Sequence, residues 1–283
     1  MKKLIINADD YGLHEFINQG IMEGAMHGCI SSTSIMPVAA AFEHAVNLLN
    51  TNENSVGVGV HLTLVAASPI LEPKKISTLV DAEGNFASAY PAFIKKYICG
   101  TVRLAEIYQE FYAQIAKVKS TGIPITHLDS HQHLHVLPGM IDVVIALAKE
   151  FKIKAIRIPA EDYLFFHEFS FGRYIGKCGL SFLAQIARKK LKKANIVSPD
   201  YFWGMMAGGN MNEATLAKII SQLPNGVNEI MVHPGHNTGE LRKLFDWQYH
   251  WDQELSALTD KNLLKSLRHN KIELVSFGAL ANE

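Results

Sequence analysis

Cysteine is scarce in this chain of 283 residues: Cys29, Cys99 and Cys178 lie far apart and form no CxxC pair. That excludes a disulfide framework and a thiolate metal site, and it suits a reducing cytoplasm. Net charge is lacking as well, because 27 Lys and Arg residues balance 27 Asp and Glu. Such a composition offers no general attraction to nucleic acid or to an anionic membrane surface. Long apolar runs are also missing. None approaches the roughly 20 residues that cross a bilayer, and the opening MKKLIINADD has an apolar run too short for a signal peptide. We therefore expect a soluble cytoplasmic protein with no nucleic-acid or membrane partner. What the chain does have is 48% hydrophobic residues, ample for a large core, and thirteen histidines.

Strand-like and helical patterns alternate along the chain. Apolar or β-branched runs at 2–8, 31–38, 56–64, 125–131, 154–159, 200–204, 228–234 and 272–278 read as strands. Helical spacing appears at 14–28, 40–50, 103–120, 138–151, 180–194, 211–222 and 252–269. Residues 65–90 and 160–200 are less regular, and no linker divides the chain. The alternation implies an α/β fold with a parallel sheet and outer helices. No GxGxxG follows the first strand; the turn there is DDYGLHE, with two acids where a dinucleotide fold needs glycines. The expected architecture is an irregular (β/α) barrel of about seven or eight mostly parallel strands, one domain over 1–283. In such a barrel the reactive groups sit at the carboxyl ends of the strands.

Polar residues do collect at those ends: Asp9 and Asp10, His61, the run HLDSHQHLH (127–135), Arg157, and His233 with His236. Each has a plain structural reading alone. An Asp pair after a strand is commonly a turn or helix cap, His61 a hydrogen-bonded core histidine, Arg157 a salt-bridge residue and His233 a strand cap. Together, at one end of successive strands, they suggest an Asp, His and His constellation. Two adjacent carboxylates raise each other's pKa unless a cation lies nearby. Imidazole and carboxylate suit zinc, manganese, cobalt or nickel, and three protein ligands leave positions open for water or substrate. Metal-bound water, acidified to about 7 in favourable zinc sites, is a nucleophile for acyl-transfer hydrolysis. Asp9, oriented by Arg157, would take its proton, and His233 would protonate the leaving group.

The motifs NADDYG (7–12), NQGI (18–21), SSTSIMP (31–37), GVHLTL (59–64), THLDSHQHLH (126–135), IRIP (156–159) and MVHPG (231–235) resemble those of the YdjC-like (ChbG) family of carbohydrate deacetylases, related to the polysaccharide deacetylases. The resemblance implies hydrolysis of the N-acetyl group from an acetylated amino sugar or a chito-oligosaccharide, phosphorylated or not. It implies metal ligands at Asp10, His61 and His131, the base at Asp9, the acid at His233, and a single divalent ion, Mg2+ by family expectation. The two imidazoles by themselves favour a softer ion such as Zn2+. Trp203, Trp247, Trp251 and the aromatic stretch 163–174 are candidate faces for a pyranose ring, and Asn237 and Arg242 candidate contacts for a hydroxyl or phosphate. Segment 235–255 would cover the sugar or form a homodimer contact. Two alternatives stand beside this reading: glycosidic cleavage of a phosphorylated disaccharide such as cellobiose phosphate, and a non-catalytic sugar- or metal-binding protein.

Overall fold

The computed structural model describes residues 1–52, 56–162 and 171–280. Strand β1 (Lys2–Tyr11) carries Leu4, Ile5 and Ile6, buried on both faces as a central parallel strand requires. Around it lie β2 (Ser32–Ile35), β3 (Gly57–Leu62), β4 (Ile125–Ser130), β5 (Tyr201–Trp203), β6 (Gly226–Val232) and β7 (Ile272–Leu274). Their order is β4-β3-β2-β1-β6-β5, and every pair is parallel. β7 pairs with the first residues of β1, below the point where β2 takes over the same edge. The result is a curled, mostly parallel sheet with helices outside, as the alternation of the sequence implies.

Residues 154–159 differ from expectation. They form no regular strand, because this segment divides its bonds between two neighbours: Leu128 of β4 and Val197, with Glu161 then meeting Phe202 of β5. These isolated bridges link the two ends of the curl. Several helices also depart from the sequence reading, among them Thr238–Leu244 and Phe277–Leu280, the latter beginning within the run 272–278 expected as strand. Pro91 starts an unforeseen helix, Tyr90–Ile98, and Asp260 caps a break that divides 252–269 into Trp251–Thr259 and Lys261–His269. The helix expected at 180–194 begins at Phe171. No helix among the described residues is long and apolar enough to cross a membrane.

Two local features aim side chains at the carboxyl ends. The β1–β2 register shifts between Ala8 and Tyr11, and Asp10 adopts φ 63°, a left-handed conformation. Consecutive strand residues normally face opposite ways; this irregularity lets both Asp9 and Asp10 reach one cavity. On the neighbouring strands, Gly59 pairs with His127, and a Cβ at Gly59 would lie 2.4 Å from that imidazole. Glycine there makes room for a ring that stacks on Phe277 at 3.8 Å.

Candidate active site

Asp9, Asp10, His61, His131 and His233 line one cavity of about 600 Å3 at the carboxyl end of the sheet. His61 Nε2 lies 3.5 Å from Asp10 Oδ1, and His131 Nδ1 lies 3.0 Å from the same oxygen. Behind them, His61 Nδ1 meets Asp129 Oδ1 at 2.9 Å, a contact set by the pairing of these residues across β3 and β4. The other Asp129 oxygen accepts from Ser34 Oγ at 2.7 Å.

Arg157 stands fully buried behind Asp9. Its Nη1 and Nη2 donate to the two Asp9 oxygens at 2.6 and 2.7 Å, its Nη1 also lies 2.8 Å from Asp129, and its Nε donates to Glu229 at 2.6 Å. Asn7 adds a 2.8 Å hydrogen bond to Asp9. The two adjacent acids are therefore not left to repel each other: Asp9 faces the guanidinium and Asp10 faces the imidazoles. Burial disfavours ionisation of Asp10, but the charge and hydrogen bond of His131, helped by His233 and His61, hold its carboxyl well below the usual carboxylate range. Burial also disfavours charge on His61, yet Asp129, then Asp9 and Asp10, push its pKa up to about 9.

Such surroundings could hold a cation, either a proton on His61 or a metal ion in exchange for it. Two groups of donors lie within 4.8 Å of one another among the described residues: Asp10, His61 and His131, and Asp9, His61 and Asp129. In the second group both carboxylates are already bound to Arg157. The first group fits a divalent ion better, with Asp129 orienting His61 from behind as a carboxylate does for a ligating histidine. One carboxylate and two imidazoles match a borderline transition ion more closely than magnesium.

Of the remaining histidines of 127–135, His127 and His135 are structural, whereas His133 lines the cavity. His135 is held in one neutral form, assigned from its partners: Ser130 Oγ donates to Nδ1 at 2.7 Å, and Nε2 donates to the Arg157 carbonyl at 2.9 Å. Burial moves it from 6.5 to about 4, and the same cause moves His127 to about 3. A histidine lowered in the folded state is protonated first in the unfolded chain. Its stabilisation is therefore complete above pH 6.5 and lost as pH falls toward 4. At about 1.4 kcal/mol per pH unit, His135→Gln should remove roughly 2 kcal/mol of the stability difference between pH 7 and pH 5. Urea unfolding at both pH values measures this; equal slopes for wild type and variant would refute it. His133 has φ 56° and packs edge-on to Phe202 at 5.6 Å.

Several expected sugar contacts are used otherwise. Trp203 is buried with its Nε1 donating to Asn228 at 3.2 Å, and Trp251 is buried against Gly235. Asn237 caps the helix Thr238–Leu244, and Arg242 donates to the Tyr249 carbonyl. Trp247 does reach the site, 5.8 Å from the His131 ring, and Tyr249 lines the cavity 4.9 Å from the His233 ring. Residues 163–170 of the expected aromatic stretch lie outside the described residues. Ser34 and Glu229 had no role in the sequence reading, and Asp129 entered it only as part of the run HLDSHQHLH on the side of His127 and His131. The signal was there for Glu229, an acid inside the buried strand NEIMV.

The model of the family described as YdjC-like protein matches residues 3–269. The chain belongs to the YdjC-like family. A carbohydrate deacetylase of Thermoanaerobacter pseudethanolicus is 30% identical over 99% of this chain and 100% of its own length. One from Clostridium beijerinckii is 33% identical over 97% and 98%. Among solved structures, a protein of Enterococcus faecalis V583, provisionally described as a cellobiose-phosphate cleavage protein, superposes with a TM-score of 0.79 at 25% identity, covering 99% of this chain and 98% of its own.

Proposed function

We propose that this YdjC-like protein is a metal-dependent deacetylase that hydrolyses the N-acetyl group of an acetylated amino sugar or a short, plain or phosphorylated chito-oligosaccharide, acting as one domain over 1–283. The observation that carries the reading is the division of labour between adjacent acids: Asp10 with His61 and His131 offers a cation site, while Asp9 is fixed beside it by Arg157. The names of the curated relatives support the substrate class.

Asp10, His61 and His131 would hold one divalent ion, which supplies charge to polarise the acetyl carbonyl and acidify water. Asp9 receives a proton from the attacking water as the new C–O bond forms. His233 delivers a proton to the sugar nitrogen as the C–N bond breaks, so acetate and the free amine leave. Tyr249 packs beside His233, with ring centroids 4.9 Å apart. Arg157 keeps the Asp9 carboxylate in one orientation through both of its oxygens, which limits the reorganisation needed when the proton moves.

The description of the Enterococcus faecalis structure favours a second reading, glycosidic cleavage. Its mechanism needs two carboxyl groups roughly 5–9.5 Å apart on opposite sides of the scissile bond. Among the described residues, Asp9 and Asp10 are the only acids lining the cavity, and they are chain neighbours committed to Arg157 and to imidazoles. The deacetylase reading uses both of them, and glycosidic cleavage uses neither well. Acetate release should therefore vanish on exhaustive chelation and return on adding back one equivalent of Zn2+, Co2+ or Mn2+, with Mg2+ less effective. Undiminished acetate release from protein shown free of metal would sink the proposal.

A further inference from the structure

Glu254 is fully buried on the helix Trp251–Thr259, outside the cavity and away from the Arg157 cluster. Its two oxygens are spent on two backbone amides from different parts of the chain. Oε2 accepts from the N–H of His233 at 2.5 Å, and Oε1 accepts from the N–H of Met211 at 2.9 Å. A buried carboxylate is costly, and a neutral side chain would have satisfied the same volume. Its placement has a geometric reason. His233 is the first residue beyond β6, where the sheet no longer supplies an acceptor for its amide.

The His233 ring needs such support. Its Nδ1 is buried with no hydrogen-bond partner, so no side chain fixes the imidazole through that atom, the usual means of orienting a catalytic histidine. The ring instead rests on Tyr249, and the next residue, His250, ties that wall down by donating its amide to the Gly209 carbonyl. Glu254 closes the same unit, since its own amide donates to the His250 carbonyl at 3.0 Å. Backbone anchor and ring contact thus meet at one buried carboxylate. Burial pushes the Glu254 carboxyl up, while the nearby His233 and the two amide bonds oppose this and favour its charged form.

We infer that Glu254 is a positioning residue for His233, holding the imidazole where it can protonate the departing sugar nitrogen. This rests on the deacetylase reading above. A defect in proton delivery harms a substrate whose leaving group must be protonated and spares one whose leaving group departs as a stable anion. The experiment therefore compares, for wild type, Glu254→Gln and Glu254→Asp in metal-replete form, kcat/KM on N,N′-diacetylchitobiose with kcat/KM on p-nitrophenyl acetate. The ratio of the two is independent of the fraction of protein correctly folded. Glu254→Gln loses one acceptor and the charge, and its amide-to-ester ratio should fall at least about ten-fold, with kcat affected more than KM. Glu254→Asp keeps the charge but is too short to span both amides, and should fall in between; if the Gln variant does not fold, the Asp variant alone decides. An unchanged ratio, whether both activities fall together or neither falls, would overturn the inference. Wild type without activity on the amide would instead defeat the deacetylase reading.

Discussion

His131→Ala should lower kcat/KM for acetate release by roughly 10^3-fold or more, because on the proposed reading it removes one of three metal donors and with it several kcal/mol of transition-state charge stabilisation. The loss should appear in metal content as well as in rate. His131 faces Asp10 Oδ1 at 3.0 Å and lies edge-on to His61, with ring centroids 5.6 Å apart. Alanine leaves Asp10 and His61 with too few donors to retain an ion through gel filtration. The fold should survive, since His131 lies at the cavity surface and, unlike Asp129, is not tied to the Arg157 cluster. Elemental analysis and circular dichroism on the same sample separate these effects. A folded variant with full metal content and wild-type turnover would show that His131 is not a ligand.

Arg157→Met should have the largest effect on stability. Arg157 is fully buried and is the common partner of Asp9, Asp129 and Glu229. Methionine fills much of the volume yet leaves three buried acids without their cation, and breaking a buried pair from one side typically costs about 3–5 kcal/mol. Glu229 indicates how finely the cluster is balanced: burial raises its carboxyl to about 7 despite the pull of Arg157, with the charges of Asp9 and Asp129 adding to the rise. Arg157→Lys should rescue little, because an ammonium cannot reproduce the paired bonds to both Asp9 oxygens while also reaching Glu229. Chemical denaturation at pH 7 in the presence of chelator measures the loss without a contribution from bound metal. A change below 1 kcal/mol, the range of exposed ion pairs, would mean that the cluster is not the electrostatic keystone inferred from its geometry.

Much of this was legible in the order of residues. The apolar runs of β1, β3 and β6 mark strands buried on both faces, and the acids and histidines that follow them mark one end of the sheet. The seven parallel strands among the described residues fall within the expected number. Residues 154–159 look like a strand because their alternation is right, but regular pairing needs a continuous neighbour, and here the bonds are shared between Leu128 and Val197. The helix Tyr90–Ile98 was signalled by Pro91 and hidden by the irregular stretch before it. In the site, the motifs brought Asp9, Asp10, His61, His131 and His233 to one cavity, whereas the supporting shell was less visible. Ser34 reads as an ordinary polar strand residue, and its bond to Asp129 depends on which strands become neighbours. Trp203 and Trp251 show the converse limit: aromatic composition does not say whether a ring faces a cavity or fills the core.

The most direct test is a product analysis of N,N′-diacetylchitobiose incubated with metal-replete protein. Mass spectrometry should find acetate in step with an intact disaccharide that has lost one acetyl group and gained a free amine. Monosaccharides that each keep their one acetyl group, appearing without acetate, would contradict the deacetylase reading and return the site to glycosidic cleavage.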